Sequence, residues 1–208
     1  VSLPETLTFH CPPEMTYWCQ KVFDGEYGIG WQPAAGTSPK IIDIGANAGA
    51  FALWAQAYWP GAEVFCYEPA AVNFHYLKLN CSDKPRLHLH NVAVLTSDRK
   101  KLYCGKQNQG QASFFPELEE TTDTYEMPII MRPEALPEAD ILKCDAEGAE
   151  AEIIPALLAA GRKFQAVMFE YHSDEIRRQL DALLSKDYLL VGAEAKTAHR
   201  GVLKYVAR

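Results

Sequence analysis

The 208-residue sequence has no CxxC pair, no excess of basic residues, no internal repeat and no low-complexity tract. Nor does it have an apolar run approaching the roughly 18–20 residues of a membrane helix; charges in Ile-Leu-Lys-Cys-Asp and Phe-Glu-Tyr-His interrupt the longest candidates. Each absence excludes something. Twenty Lys and Arg stand against twenty-seven Asp and Glu, a formal charge of −7, so a nucleic-acid phosphate backbone is not the partner. Membrane insertion is excluded by the missing span. No charged-then-apolar leader follows Val1, so no signal peptide is read. Cys11, Cys19, Cys66, Cys81, Cys104 and Cys144 are widely spaced, and Cys66 and Cys144 lie inside apolar runs. They read as six reduced thiols and the chain as cytoplasmic. What is present, 48% hydrophobic and 23% charged residues, is globular composition.

Residues 1–38 are Pro-rich and irregular apart from a short helix over 14–23, and read as an appendage on a domain spanning 39–208. From residue 39 onward, apolar runs of strand length alternate with helical segments. Strands are expected over 40–45, 63–68, 86–95, 139–145 and 165–171, and helices over 48–58, 71–80, 149–160 and 174–185. Residues 101–104 and 112–115 read as a small ribbon, with 107–113 as a lid or acceptor loop carrying Ser113. An antiparallel hairpin over 188–193 and 202–207 closes the chain. Alternating strands and helices mean an α/β fold, a doubly wound, mostly parallel sheet covered on both faces.

In such a sheet, ligands sit beyond the carboxyl ends of the strands where strand order reverses. The first strand ends Asp43-Ile-Gly-Ala-Asn-Ala-Gly49 and runs directly into a helix. Gly45 and Gly49 permit a tight turn, and the helix start offers free N–H groups. Glu68 ends the second strand, twenty-three residues after Gly45, where a carboxylate can accept both hydroxyls of a ribose. Dinucleotide sites place glycine where Asn47 stands, and an acid such as Asp43 would repel a pyrophosphate. An α-ammonium would be attracted. These residues therefore favour S-adenosylmethionine over NAD, with an NAD-binding Rossmann-type oxidoreductase and a non-catalytic cofactor-binding module as the other readings.

The blocks Asp43–Gly49, Tyr67-Glu-Pro69 with Asn73, Leu142-Lys-Cys-Asp-Ala-Glu-Gly-Ala-Glu150 and Glu170-Tyr-His172 resemble the FkbM family of S-adenosylmethionine-dependent methyltransferases. Phe23-Asp-Gly-Glu-Tyr27 is similar to the segment preceding that family's core. The resemblance implies a class I methyltransferase (Rossmann-like) sheet of seven strands with the last antiparallel. It also implies O-methylation of a small-molecule hydroxyl on a sugar, glycan or natural product. Asp43, Gly45, Asn47 and Gly49 then correspond to the turn around the methionine part of the cofactor. Glu68 corresponds to the ribose acid, Asn73 to the Asn of the next helix, and Ala93 to the border of the adenine. The sequence departs from the family at 130–136, where a Thr-Leu-Asp type strand is usual, and at Ala146, where Val or Ile is usual.

Methyl transfer to a hydroxyl is an in-line displacement needing near-attack geometry and a proton acceptor. Asp145 ends the fourth strand beside the expected sulfonium, and Glu147 follows it. Glu170 and His172 are two apart, so an extended backbone projects them to one side. His172 is the natural acceptor near neutral pH, with Asp145, Glu147 and Glu170 around it. The other roles open to them are a helix cap for Asp145 or His172 and a dipole contact for Glu147. Glu150 and Glu152 read as the solvated face of the helix. No metal is assigned, although Asp145, Glu147, Glu170 and His172 are a ligand set for Mg²⁺ or Mn²⁺. Trp18, Tyr27 and Trp31 either stack on the acceptor or pack the appendage.

Overall fold

The computed structural model describes residues 8–98, 101–104, 112–115, 125–126, 128–197 and 199–208. After a 3-10 turn at Pro13–Met15 comes α1 (Thr16–Phe23), then β1 (Lys40–Ile44), α2 (Ala50–Tyr58), β2 (Glu63–Tyr67), α3 (Ala71–Cys81), β3 (Leu87–His90) and β4 (Val92–Val94). There follow β5 (Leu102–Cys104), β6 (Ala112–Ser113), β7 (Tyr125–Glu126), β8 (Ile129–Met131) and β9 (Ile141–Cys144). The chain continues through α4 (Glu150–Ala159), β10 (Ala166–Tyr171), α5 (Asp174–Leu184), β11 (Tyr188–Ala195) and β12 (Gly201–Ala207).

Seven strands form one sheet in the order β11-β12-β10-β9-β1-β2-β3. All its pairings are parallel except those of β12, which runs antiparallel to both β10 and β11. Strand order reverses between β1 and β9, so the ends of these two strands bound the crevice that this topology reserves for ligands. Alternate residues feed opposite layers, as a sheet buried on both faces requires. Ile42, Ile44, Val167 and Phe169 pack with Ile153, Leu157 and Leu180 of α4 and α5. Ile41, Ala166 and Met168 pack with Phe51, Trp54 and Leu77 of α2 and α3, and with Tyr27 from the N-terminal segment. No helix among the described residues is long and apolar enough to cross a membrane.

Three local expectations change. The strand expected over 86–95 breaks at Asn91, whose amide donates to the carbonyls of Glu68 and Pro69 at 2.8 and 3.1 Å. β3 stays in the main sheet, while β4 turns away to pair with β8. The departure at 130–136 is thus partly a strand, β8, followed by a 3-10 turn at Pro133–Ala135. Asn80 does not end its helix; its buried amide ties α3 to the carbonyls of Ala48 and His10 at 2.8 and 2.7 Å. Among the described residues Cys11, Cys19, Cys66, Cys81 and Cys144 are free thiols. β5 and β6 form the expected ribbon, whereas most of the loop expected at 107–113 lies outside the described residues.

Candidate active site

The turn after β1 is shaped by contact with β9. Gly45 has φ +73°, and a Cβ there would lie 1.7 Å from the Asp145 carbonyl oxygen. Only glycine lets the two strand ends meet this closely. Asn47 is left-handed with φ 50°, which turns its N–H onto Glu68 Oε2 at 2.8 Å. The Ala70 N–H at 2.9 Å and the Asn73 amide at 3.4 Å donate to Oε1. Glu68 is therefore held rigidly at the end of β2, with its carboxylate on the wall of a cleft of about 590 Å³. Gly45, Asn47, Glu68, Asn73, Ala93 and Asp145 all line this cleft.

Asp43 and Gly49 stand behind the wall. Asp43 is fully buried and paired at 3.0 Å with Lys143, its neighbour across the β1–β9 ladder. Its charge is thus answered inside the protein by Lys143, whereas the sequence reading set it beside a ligand ammonium. Lys143 also donates to the Gly45 carbonyl at 2.7 Å and lies over the rings of Tyr27 and Phe51. Burial alone would pull the Lys143 ammonium down, but Asp43 and Asp145 hold it above its ordinary range. Gly49, with φ +91°, closes the turn against Cys81 and Leu77.

Burial raises Glu68 to about 7 against the opposing N–H donors. A ribose donating two hydroxyls, as the sequence reading expects here, would bind the ionised form, so acid would weaken cofactor affinity. Below about pH 7 we expect affinity for S-adenosylhomocysteine to drop, approaching tenfold per pH unit, with a plateau on the alkaline side. Calorimetric titration across pH measures this, and the slope should vanish in Glu68→Gln. Glu68→Ala should weaken binding by one to two orders of magnitude, roughly 1.5–3 kcal/mol for charged hydrogen bonds.

The second half of the site gathers at the ends of β9 and β10. His172 is buried, with Nε2 3.0 Å from Glu147, 3.9 Å from Asp145 and 4.0 Å from Glu170, and Nδ1 3.1 Å from Glu150. The expected convergence of four groups is present, and Glu150 joins it. Glu150 is fully buried, not on a solvated face, because it accepts the N–H groups of Ala146 and Gly148 at 2.7 and 2.9 Å. It therefore does the turn-capping work that was one of the roles open to Asp145. Glu147 reaches the ring from a left-handed backbone with φ 46°, and its carbonyl accepts the Ser113 hydroxyl at 2.8 Å. Ser173, not His172, caps α5 by accepting the Ile176 N–H.

Burial opposes charge on His172, but Glu147 and Glu150 outweigh it and hold the ring well above its ordinary value. That direction disfavours the free base read from the sequence. Glu147 shows the reciprocal effect: burial pushes it up, while His172 and Arg200 bring it down to about 2. Glu170 is raised to about 7 by burial and Asp145, against the pull of Lys196.

Lys196, Arg200 and Glu26, which sequence reasoning missed, complete this half. Lys196 pairs with Glu170 at 2.6 Å and Glu26 at 2.9 Å, and Arg200 with Glu147 at 2.5 Å. Tyr27, buried in the core, donates to Asp145 at 3.3 Å. Trp18 is partly exposed beneath the Lys196 ammonium, whereas Trp31 packs on Trp59. A recess of about 420 Å³, lined by Trp18, Asp145, Glu147, Glu170, Lys196 and Arg200, adjoins the cleft; Asn47, Asp145 and Glu147 border both.

Comparison with known proteins gives the family. Residues 43–195 match the methyltransferase FkbM domain. The chain is 25% identical over 196 residues, 71% of it and 72% of the relative, to methyltransferase sdnD of Sordaria araneosa. Among solved structures, methyltransferase FkbM from Methylobacillus flagellatus superposes with TM-score 0.54 at 18% identity, covering 81% of this chain and 43% of that one. Aeropyrum pernix fibrillarin with natively bound S-adenosyl-L-methionine superposes with TM-score 0.50 at 13% identity, covering 81% and 66%. The chain belongs to the FkbM family and is an S-adenosylmethionine-dependent methyltransferase of the class I fold.

Proposed function

We propose that the protein methylates a hydroxyl oxygen of a small-molecule acceptor held in the recess beside the cofactor cleft. The observation that carries this reading is the shared border of the two cavities at Asn47, Asp145 and Glu147. An acceptor oxygen in the recess and a cofactor in the cleft meet there. S-adenosylmethionine would supply an electrophilic methyl on a sulfonium, with Glu68, Asn73 and the turn at Gly45–Asn47 holding its nucleoside and methionine ends.

An alcohol needs its proton removed as the new bond forms, and this recess is lined by carboxylates. Both nitrogens of His172 already face carboxylates, so the ring is not free to accept. Glu170 is open to the recess and is oriented by Lys196, which Glu26 anchors from the other side. We assign Glu170 as the proton acceptor, Asp145 and Glu147 as the groups positioning the hydroxyl, and Trp18 as an apolar wall for the acceptor. Lys196 and Arg200 are each neutralised by an acid, which suits an uncharged acceptor. The two-part character of residues 1–38 and 39–208 belongs to the same proposal: the first segment supplies Trp18, Glu26 and Tyr27 to a site built on the second.

Incubation with methyl-labelled S-adenosylmethionine and a panel of sugars and hydroxylated natural products tests this reading. The expected product carries label on oxygen. Label on nitrogen or carbon alone, or turnover confined to proteins or nucleic acids, would overturn it.

A further inference from the structure

We infer that Asp145, Glu147 and His172 form a binding site for one divalent cation of the Mg²⁺ and Mn²⁺ class. That the ion also holds the acceptor hydroxyl rests on the O-methyltransferase reading; the site itself does not. One donor atom from each of the three residues lies within 4.8 Å of the others. His172 Nε2 is 3.0 Å from Glu147 and 3.9 Å from Asp145. Around a six-coordinate ion with bonds near 2.1 Å, adjacent ligands stand about 3.0 Å apart and opposite ones about 4.2 Å. Both separations from His172 fall within that interval.

The histidine supplies the second, independent observation. Its side chain is only 1% exposed, yet neither nitrogen makes a directed hydrogen bond, although a carboxylate oxygen lies about 3 Å from each. On its Nε2 side the ring has the carboxylates of Glu147 and Asp145 within 3.9 Å and is aligned with neither, an arrangement that suits an ion between them. Behind it, Glu150 faces Nδ1 at 3.1 Å and is itself fixed by two backbone N–H groups. A carboxylate behind the ring is the support that metal-bound histidines usually have. In front, Asp145 and Glu147 are about a quarter exposed and border the recess, which leaves room for water or a hydroxyl to complete the shell.

The donors are two carboxylates and one imidazole with no sulfur among them, which suits a hard divalent ion. The balance is simple. The ion enters, His172 meets it with an unprotonated nitrogen, any proton there passing to solvent, and Arg200 gives up Glu147, whose charge the metal then answers. A bound hydroxyl loses its proton more readily beside such an ion. The transfer itself is unaltered, because no electrons change hands and the methyl would still move from sulfur to oxygen.

Titration of the metal-depleted protein with Mn²⁺, followed by electron paramagnetic resonance, tests the site without any turnover. We expect one Mn²⁺ per chain, displaced by excess Mg²⁺, with nitrogen modulation from a coordinated imidazole in the echo envelope. Asp145→Asn should weaken binding more than about tenfold, and Glu150→Gln by about 10–100-fold; His172→Gln should abolish the nitrogen signal. No binding at millimolar Mn²⁺, absence of nitrogen coupling in the wild type, or indifference of a folded Asp145→Asn variant would each overturn the inference. Calorimetry with S-adenosylhomocysteine on the same metal-depleted sample separates the two readings. Nucleoside binding without Mn²⁺ binding rejects the metal site alone, and loss of both removes the cofactor assignment as well.

Discussion

Replacing Glu170 by Gln should lower kcat about 10²–10⁴-fold, the range over which a positioned proton acceptor contributes, and leave affinity for S-adenosylhomocysteine within about twofold. Gln keeps the shape of the side chain and can still accept from Lys196, whose ammonium retains Glu26 as a partner at 2.9 Å. Only the capacity to take a proton is lost. The cofactor cleft is lined by Glu68, Asn73 and Asp145 and not by Glu170, so the loss should appear in the chemical step. Single-turnover kinetics with saturating cofactor distinguish this from weakened acceptor binding. If the rate of methyl transfer is unchanged, the proton goes elsewhere and Glu170 is only a partner for Lys196.

A second large effect is expected far from any ligand, at Lys143→Met. Lys143 and Asp43 are both almost completely buried and paired at 3.0 Å. Removing the cation leaves an uncompensated acid in the core, a change that costs about 3–5 kcal/mol. For a chain of this length that is a fall in Tm of about 6–20 °C. The pH dependence carries a sign. Burial already raises Asp43 above its ordinary value while Lys143 opposes the rise, so without Lys143 the acid is raised further. A group with a raised folded pKa opposes folding once it ionises, so the deficit should be small in acid and grow as pH rises past the ordinary carboxylate range. Urea unfolding at several pH values measures it. Adding Asp43→Asn to Lys143→Met should recover most of the loss; if it does not, the pair is not the source of the instability.

The course of the main sheet was legible because each strand is a short apolar run and each helix has a length and a stop that tertiary packing leaves intact. Trp59-Pro60-Gly61 ends α2 where the sequence says it must, and the polar turn before Gly201 places the final hairpin. The break at Asn91 was not legible, since alternation continues through it and only the side-chain bonds to the Glu68 and Pro69 carbonyls turn the strand aside. The convergence of Asp145, Glu147, Glu170 and His172, and the place of Glu68 on the cleft, were legible because these residues sit at strand ends. Glu150 was missed because helical spacing assigns it to the outer face, whereas the turn before α4 folds the first helical residue back over β9. Lys143 carried a signal that can be used elsewhere: a lysine inside a strand covered on both faces must have a buried acid beside it. Lys196 and Arg200 carried none, being two cations in a polar turn that only the antiparallel placement of β12 brings over the recess.

That placement bears on how the chain is made. β12 comes last in this sequence, yet it lies between β10 and β11 and is paired on both sides. While residues up to 195 have left the ribosome and 201–207 have not, β10 is fully formed in sequence but has an open edge. Its Ala-Val-Met-Phe-Glu-Tyr segment is entirely buried in the finished fold. An apolar edge of this kind pairs readily with another chain. The nascent protein thus passes through an interval in which β11 can occupy the wrong neighbour, and the arrival of seven residues both closes the sheet and sets Lys196 and Arg200 over the acids they neutralise.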